Sequence, residues 1–124
     1  SSLTNISLAI LLENNLSEMF NQLIVVGGSS TGKGNSGVFS EANFRADPVA
    51  AKNVISYYKN VVLITLEVEL NFLKENWNND FLANDFGELK DYAIEAIKKG
   101  KSILHLFGIL YVVDNKIKRE KLLL

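Results

Sequence analysis

DPVAAKNVISYYKNVVLITLEVELNFLKENW, residues 47–77, is the longest stretch with one periodicity, and its reading decides the fold. Asp47 suits the cap of a helix, where its carboxylate meets the first free backbone N–H groups, and Pro48 suits the first helical position, where no N–H is needed. From there a polar stripe runs through Lys52, Ser56, Asn60, Glu67, Asn71, Lys74 and Asn78, in steps of three or four residues except at Leu63, which interrupts it. The other side carries Ile55, Tyr58, Val62, Leu66, Leu70, Leu73 and Trp77, again at helical spacing. The spacing predicts one continuous helix, roughly 45 Å long at 1.5 Å per residue. The fold expected around it is all-α: residues 1–124 form a single domain, a small bundle of three long helices with a glycine-rich loop. A strand competes for part of this stretch, since Val62, Ile64, Leu66, Val68, Leu70 and Phe72 alternate with Thr65, Glu67, Glu69 and Asn71. The polar stripe crosses that segment with no turn residue, which favours helix.

The flanking segments supply the other two helices. Residues 3–26 carry the stripe Leu8, Leu12, Leu16, Met19, Leu23, widened by Ile6, Phe20 and Ile24, and Gly27–Gly28 ends it. Residues 27–47, GGSSTGKGNSGVFSEANFRAD, hold too many glycines and serines for a helix, and irregular stretches of this length in compact domains are usually functional or disordered. After a turn at 77–85 a last helix is expected from Asp85 to about Val113, with Phe86, Leu89, Ala93, Ala96 and Ile97 inward. Gly100 either ends it or sits inside it at a cost of about 1 kcal/mol. The alternative is α+β: a strand over 103–113, a turn at Asp114–Asn115 and a second strand over 116–123, a C-terminal β-hairpin.

Composition excludes several classes. With 124 residues, 48% hydrophobic and 22% charged, the chain can build a core. Its net charge of -1 creates no global field for nucleic acid or membrane. Seven of the thirteen basic residues nevertheless fall after residue 97: Lys98, Lys99, Lys101, Lys116, Lys118, Arg119 and Lys121. There is no cysteine, hence no disulfide, thiolate metal site or cysteine nucleophile. No secretory leader pattern is present, and the apolar run Ile103–Val113 is too short to span a bilayer, which needs about twenty residues. A cytoplasmic protein without a membrane span is expected.

GGSSTGKG, residues 27–34, comes close to the phosphate-binding pattern G-x-x-x-x-G-K-[ST]. Gly27, Gly32 and Lys33 match, but Gly34 stands where a hydroxyl would hold magnesium. The context fails too: such a loop runs from strand into helix, whereas this stretch is expected to follow a helix and runs into NSGVFSEANF, which has no helical pattern. The stretch is expected to be a loop that binds no nucleotide. His105, the lone histidine, falls on the polar stripe and reads as an exposed helical residue; no carboxylate at helical spacing orients its ring. Glu67 and Glu69 point to different helix faces, and Glu88, Asp91 and Glu95 read as a solvated face. Tyr57, Tyr58 and Trp77 read as core. No catalytic, cofactor-binding or metal-ligating residue is assigned, and no cofactor is expected.

Two features point to association. Val54, Val61, Ile64, Val68 and Phe72 form a second apolar stripe on the long helix, more than two neighbouring helices can cover. The expectation is a non-enzymatic subunit that acts through self-association or a larger protein assembly, with Val61, Ile64, Val68 and Phe72 at the contact. The second feature is the basic C-terminal face, which can meet a phosphate backbone. In size, helical class and basic end the chain is similar to the small helical subunits of CRISPR effector complexes. That likeness of class, carried by no motif, covers no particular residues; the nucleic-acid contact expected through the seven basic residues named above is read from the basic face itself.

Overall fold

The computed structural model of the chain describes residues 1–75 and 89–113. Its contacts divide it into two compact units, Ser1–Leu66 and Glu67–Leu124. The described residues form helices α1 (Thr4–Leu12), α2 (Leu16–Met19), α3 (Ala42–Ala46), α4 (Pro48–Tyr57), α5 (Leu66–Glu75), α6 (Lys90–Lys98) and α7 (Leu104–Val113), with strands β1 (Leu23–Val26) and β2 (Val61–Ile64). β1 and β2 pair in parallel, Leu23 opposite Val61 through Val26 opposite Ile64. This is a mixed α/β chain, and the all-α bundle of three long helices is overturned.

The 47–77 stretch is three elements. Its start is as read: the Asp47 side chain accepts the N–H of Ala50 at 3.0 Å, and Pro48 opens α4. The helix then stops at Tyr58, whose backbone is extended at φ -84°, ψ 133°. Val61, Val62 and Ile64 are β-branched and favour extended backbone, and LIVV at 23–26 supplies a matching edge. Asn60 clips the entry to both strands: its carbonyl accepts Leu23 N at 3.0 Å, and its side-chain amide donates to Asn21 O at 2.8 Å. The helical polar stripe across residues 60–67 was therefore a coincidence of spacing. The strand is short as well, since helix resumes at Leu66. Trp77 lies outside the described residues.

The expected first helix breaks in the same way, into α1, α2 and β1. Leu8, Leu12 and Met19, placed inward by their stripe, are exposed. α1 instead turns Ile6 and Ile10 toward the core of the first unit, formed by Leu3, Val25, Ala50, Ala51, Val54 and Tyr58. α1 lies against α4, and α3 also touches α4. β1, the glycine-rich stretch, α3, α4 and β2 thus make a β-α-β crossover, the connection that parallel strands require.

In the second unit Phe72 on α5 meets Phe107 on α7 edge to face, ring centroids 5.1 Å apart. α6 buries Ala93 and Ala96 as expected, but Leu89 is exposed. Gly100 ends α6 at φ +64°, a left-handed conformation in which Lys101 N donates to Ala96 O and Gly100 N to Ile97 O, both at 2.8 Å. The last helix is therefore two, and α7 occupies residues placed in the first strand of the alternative hairpin. Residues 116–123, its second strand, lie outside the described residues. Among the described residues no helix is long and apolar enough to cross a membrane.

Candidate functional site

At the carboxyl end of β1 the chain passes through Gly27 and Gly28, both buried. Gly27 N donates to Ile64 O and Leu66 N to Gly28 O, each at 3.0 Å, so this turn links the ends of both strands. Against it stands Glu41, only 4% exposed. One carboxylate oxygen of Glu41 accepts Gly28 N at 3.0 Å, Asn43 N at 3.0 Å and Phe44 N at 3.2 Å; the other accepts Asn43 N at 3.0 Å. Glu41 so caps α3 and ties that helix to the sheet. The approach is close. A Cβ on Gly27 would fall 2.8 Å from the Glu41 carboxylate and 2.9 Å from the Phe44 ring, so only glycine leaves room.

Two amides flank this carboxylate. Asn43 Nδ2 donates to Val26 O at 3.0 Å, and Asn35 Oδ1 accepts Ala42 N at 3.0 Å. Among the described residues no hydrogen bond reaches Asn43 Oδ1 or leaves Asn35 Nδ2. One Glu41 oxygen has a single shared donor, fewer than a carboxylate oxygen can accept. The cluster offers two acceptors and one donor around the carboxyl end of a parallel strand, the place where open α/β sheets receive ligands. Such a set matches a polyhydroxylated molecule. Among the described residues no three His, Asp or Glu side chains converge on a metal-sized site.

Residues 1–119 match the family of inosine-uridine preferring nucleoside hydrolases. The chain belongs to this family. It is 31% identical over 90 residues to the probable uridine nucleosidase 2 of Arabidopsis thaliana, a match that covers 73% of this chain and 28% of that relative. The chain therefore spans under a third of the relative's length. No solved structure matches it. Membership of a hydrolase family overturns the non-enzymatic helical-bundle assembly subunit and, with it, the nucleic-acid-binding subunit similar to those of CRISPR complexes.

Several of the residues singled out by pattern are consumed by packing. Ile64, Val68 and Phe72 are buried and Val61 is half-buried, so no exposed apolar stripe runs through them. Val61 and Ile64 belong to β2 and Val68 and Phe72 to α5, so the single helix face expected to align them is absent. Lys98, Lys99 and Lys101 are exposed, and Lys99 pairs with Glu95 one helical turn back. Lys116, Lys118, Arg119 and Lys121 lie outside the described residues. His105 is exposed on α7. Glu67, placed on a polar stripe, is buried, as is Glu69.

The GGSSTGKG stretch follows a strand after all, which removes one objection to phosphate binding. The other objection gains a physical basis. Gly34 N donates to Val38 O at 3.1 Å, and a Cβ at Gly34 would fall 2.3 Å from the Ser40 backbone, so the loop closure excludes a hydroxyl-bearing residue there. The next helix, α3, begins only at Ala42. Glu41, Asn43 and Asn35 were missed. The available signal was a lone carboxylate between Glu18 and Asp47, inside a glycine-rich loop, where functional groups concentrate.

Proposed function

We propose that this chain carries part of the substrate site of an enzyme that hydrolyses the N-glycosidic bond of a purine or pyrimidine nucleoside. Family membership over residues 1–119 supports the reaction class. The buried Glu41 carboxylate at the carboxyl end of β1 supports the location. Hydrolysis breaks the bond between ribose C1′ and the base nitrogen; the water oxygen bonds to C1′, and the base leaves with a proton. The sugar becomes electron-poor as that bond stretches, and hydrogen bonds to its hydroxyls that strengthen in the transition state lower the barrier by several kcal/mol in sugar-cleaving enzymes. Glu41 and Asn43 accept from ribose hydroxyls in this arrangement, and Asn35 donates.

The test is release of free base and reducing sugar from inosine and uridine by the purified protein, repeated with Asn43→Ala. Turnover of at least one nucleoside, with kcat/KM lowered on the order of tenfold by the substitution, is the expected result. Absence of turnover, or an unaltered Asn43→Ala enzyme, overturns the assignment.

A further inference from the structure

The loop that carries Asn35 and leads into Glu41 is held by very little apolar burial. Val38 and Phe39 at its tip are 76% and 78% exposed. Its shape depends on polar ties. Two are internal: Gly34 N to Val38 O at 3.1 Å, and Ser36 N to Ser40 O at 2.9 Å. Two attach it to α3. At the start of that helix Asn35 Oδ1 accepts Ala42 N at 3.0 Å. Near its end Arg45 donates to the Ser36 carbonyl, with the Ser36 hydroxyl 3.4 Å from the same nitrogen. The guanidinium also covers the Cα of Gly37, where a Cβ would sit 3.0 Å from it. Among the described residues Arg45 forms no ion pair, and its side-chain hydrogen bonds go to Ser36. A charged donor on a neutral carbonyl makes a stronger tie than the neutral bonds within the loop.

We propose that Arg45 is a positioning residue for the Glu41 site: by gripping Ser36 it holds the Gly34–Ser40 loop in the form that brings Asn35 and Glu41 together. The inference rests on the substrate site proposed above. Arg45 touches no substrate in this role; it acts through Asn35, whose free amide donor is set by the loop's conformation. A loop released at Ser36 still folds, but it samples positions in which Asn35 no longer faces the sugar, which weakens substrate capture.

The experiment compares the wild-type protein with Arg45→Met, Arg45→Lys and Glu41→Gln. It reads thermal stability, amide hydrogen exchange over residues 34–41, and KM and kcat separately for inosine or uridine. In Arg45→Met, exchange at the Gly34 and Ser36 amides, the donors of the two internal loop bonds, is expected to rise and KM to increase on the order of tenfold, the scale of effect a slightly misplaced binding group produces. kcat should stay within about threefold of wild type. Lysine, which can still donate to one carbonyl, should recover most of the loss in KM. Lost turnover in Glu41→Gln together with an unchanged KM in Arg45→Met overturns the role of Arg45 alone. Full turnover in Glu41→Gln overturns the site itself, and the role of Arg45 with it. A fall in thermal stability with KM unmoved assigns Arg45 to structure and rejects the inference.

Discussion

Glu41 and Glu69 are both buried carboxylates that accept backbone N–H bonds, and they use their oxygens differently. Glu69, on α5, accepts the Ser102 hydroxyl at 2.8 Å on one oxygen and Ile103 N on the other. Each oxygen has a dedicated donor, and the bonds staple α5 to the segment leading into α7, within the second unit. Glu41 binds three N–H groups mostly through one oxygen, at the end of a parallel strand, beside two amides with spare capacity. Burial and hydrogen bonding alone do not separate a staple from a site. Position in the β-α-β topology and unspent acceptor capacity do.

Exchanging the two functions is the sharpest way to break this contrast. Glu41→Gln should lower kcat/KM for a nucleoside by on the order of a hundredfold, about 2.7 kcal/mol of transition-state stabilisation. Glu69→Gln should do the opposite: it leaves a misfit in a buried hydrogen-bond set and should cost about 1–3 kcal/mol of folding stability by denaturant titration, with kcat/KM within about threefold of wild type. Equal effects of both substitutions on stability and on turnover would erase the distinction.

A smaller effect tests whether the Glu41 loop must close as observed. Gly34→Ala forces a methyl group against the Ser40 backbone at 2.3 Å, and should destabilise by about 1–3 kcal/mol, as overpacking does. Gly100→Ala, at the α6 terminus with open space around its Cβ position, meets strain only from its left-handed backbone. It should cost about 1 kcal/mol. A Gly34→Ala protein as stable as wild type would mean the loop closes differently.

The smallest expected effect concerns acid stability. The Asp47 carboxyl is held below its ordinary pKa, first by the N–H of Ala50 and then by the Thr4 hydroxyl, against a smaller opposing contribution from burial. A carboxyl with a lowered folded pKa contributes stability that is present above its unfolded value and lost as pH falls through its folded value. Melting temperature measured downward from about pH 5 should therefore decline less steeply in Asp47→Asn than in wild type. Parallel declines would show that the α4 cap carries none of the acid sensitivity of the first unit.

Local chemistry was enough to read some features correctly. Asp47 and Pro48 start α4 because a side-chain acceptor and a missing N–H act within one turn, whatever surrounds them. The glycine-rich stretch is irregular from Gly27 to Ser40 because its residues favour turns over helix, although α3 forms within the 27–47 segment read as irregular, and Ala93 and Ala96 face a core by spacing alone. What local chemistry could not reveal is that LIVV and VVLI are strands. Each is four apolar residues long, too short for periodicity to separate strand from helix. The choice between them is made by pairing across 38 positions, Leu23 with Val61. That same pairing creates the strand end on which Glu41 converges, so the site became visible only once the partner strand was in place. Glu67 and Glu69 went the same way: a carboxylate in a helical stripe carries no local mark of burial, and only its neighbours in three dimensions determine whether it meets water or a hydrogen-bond donor.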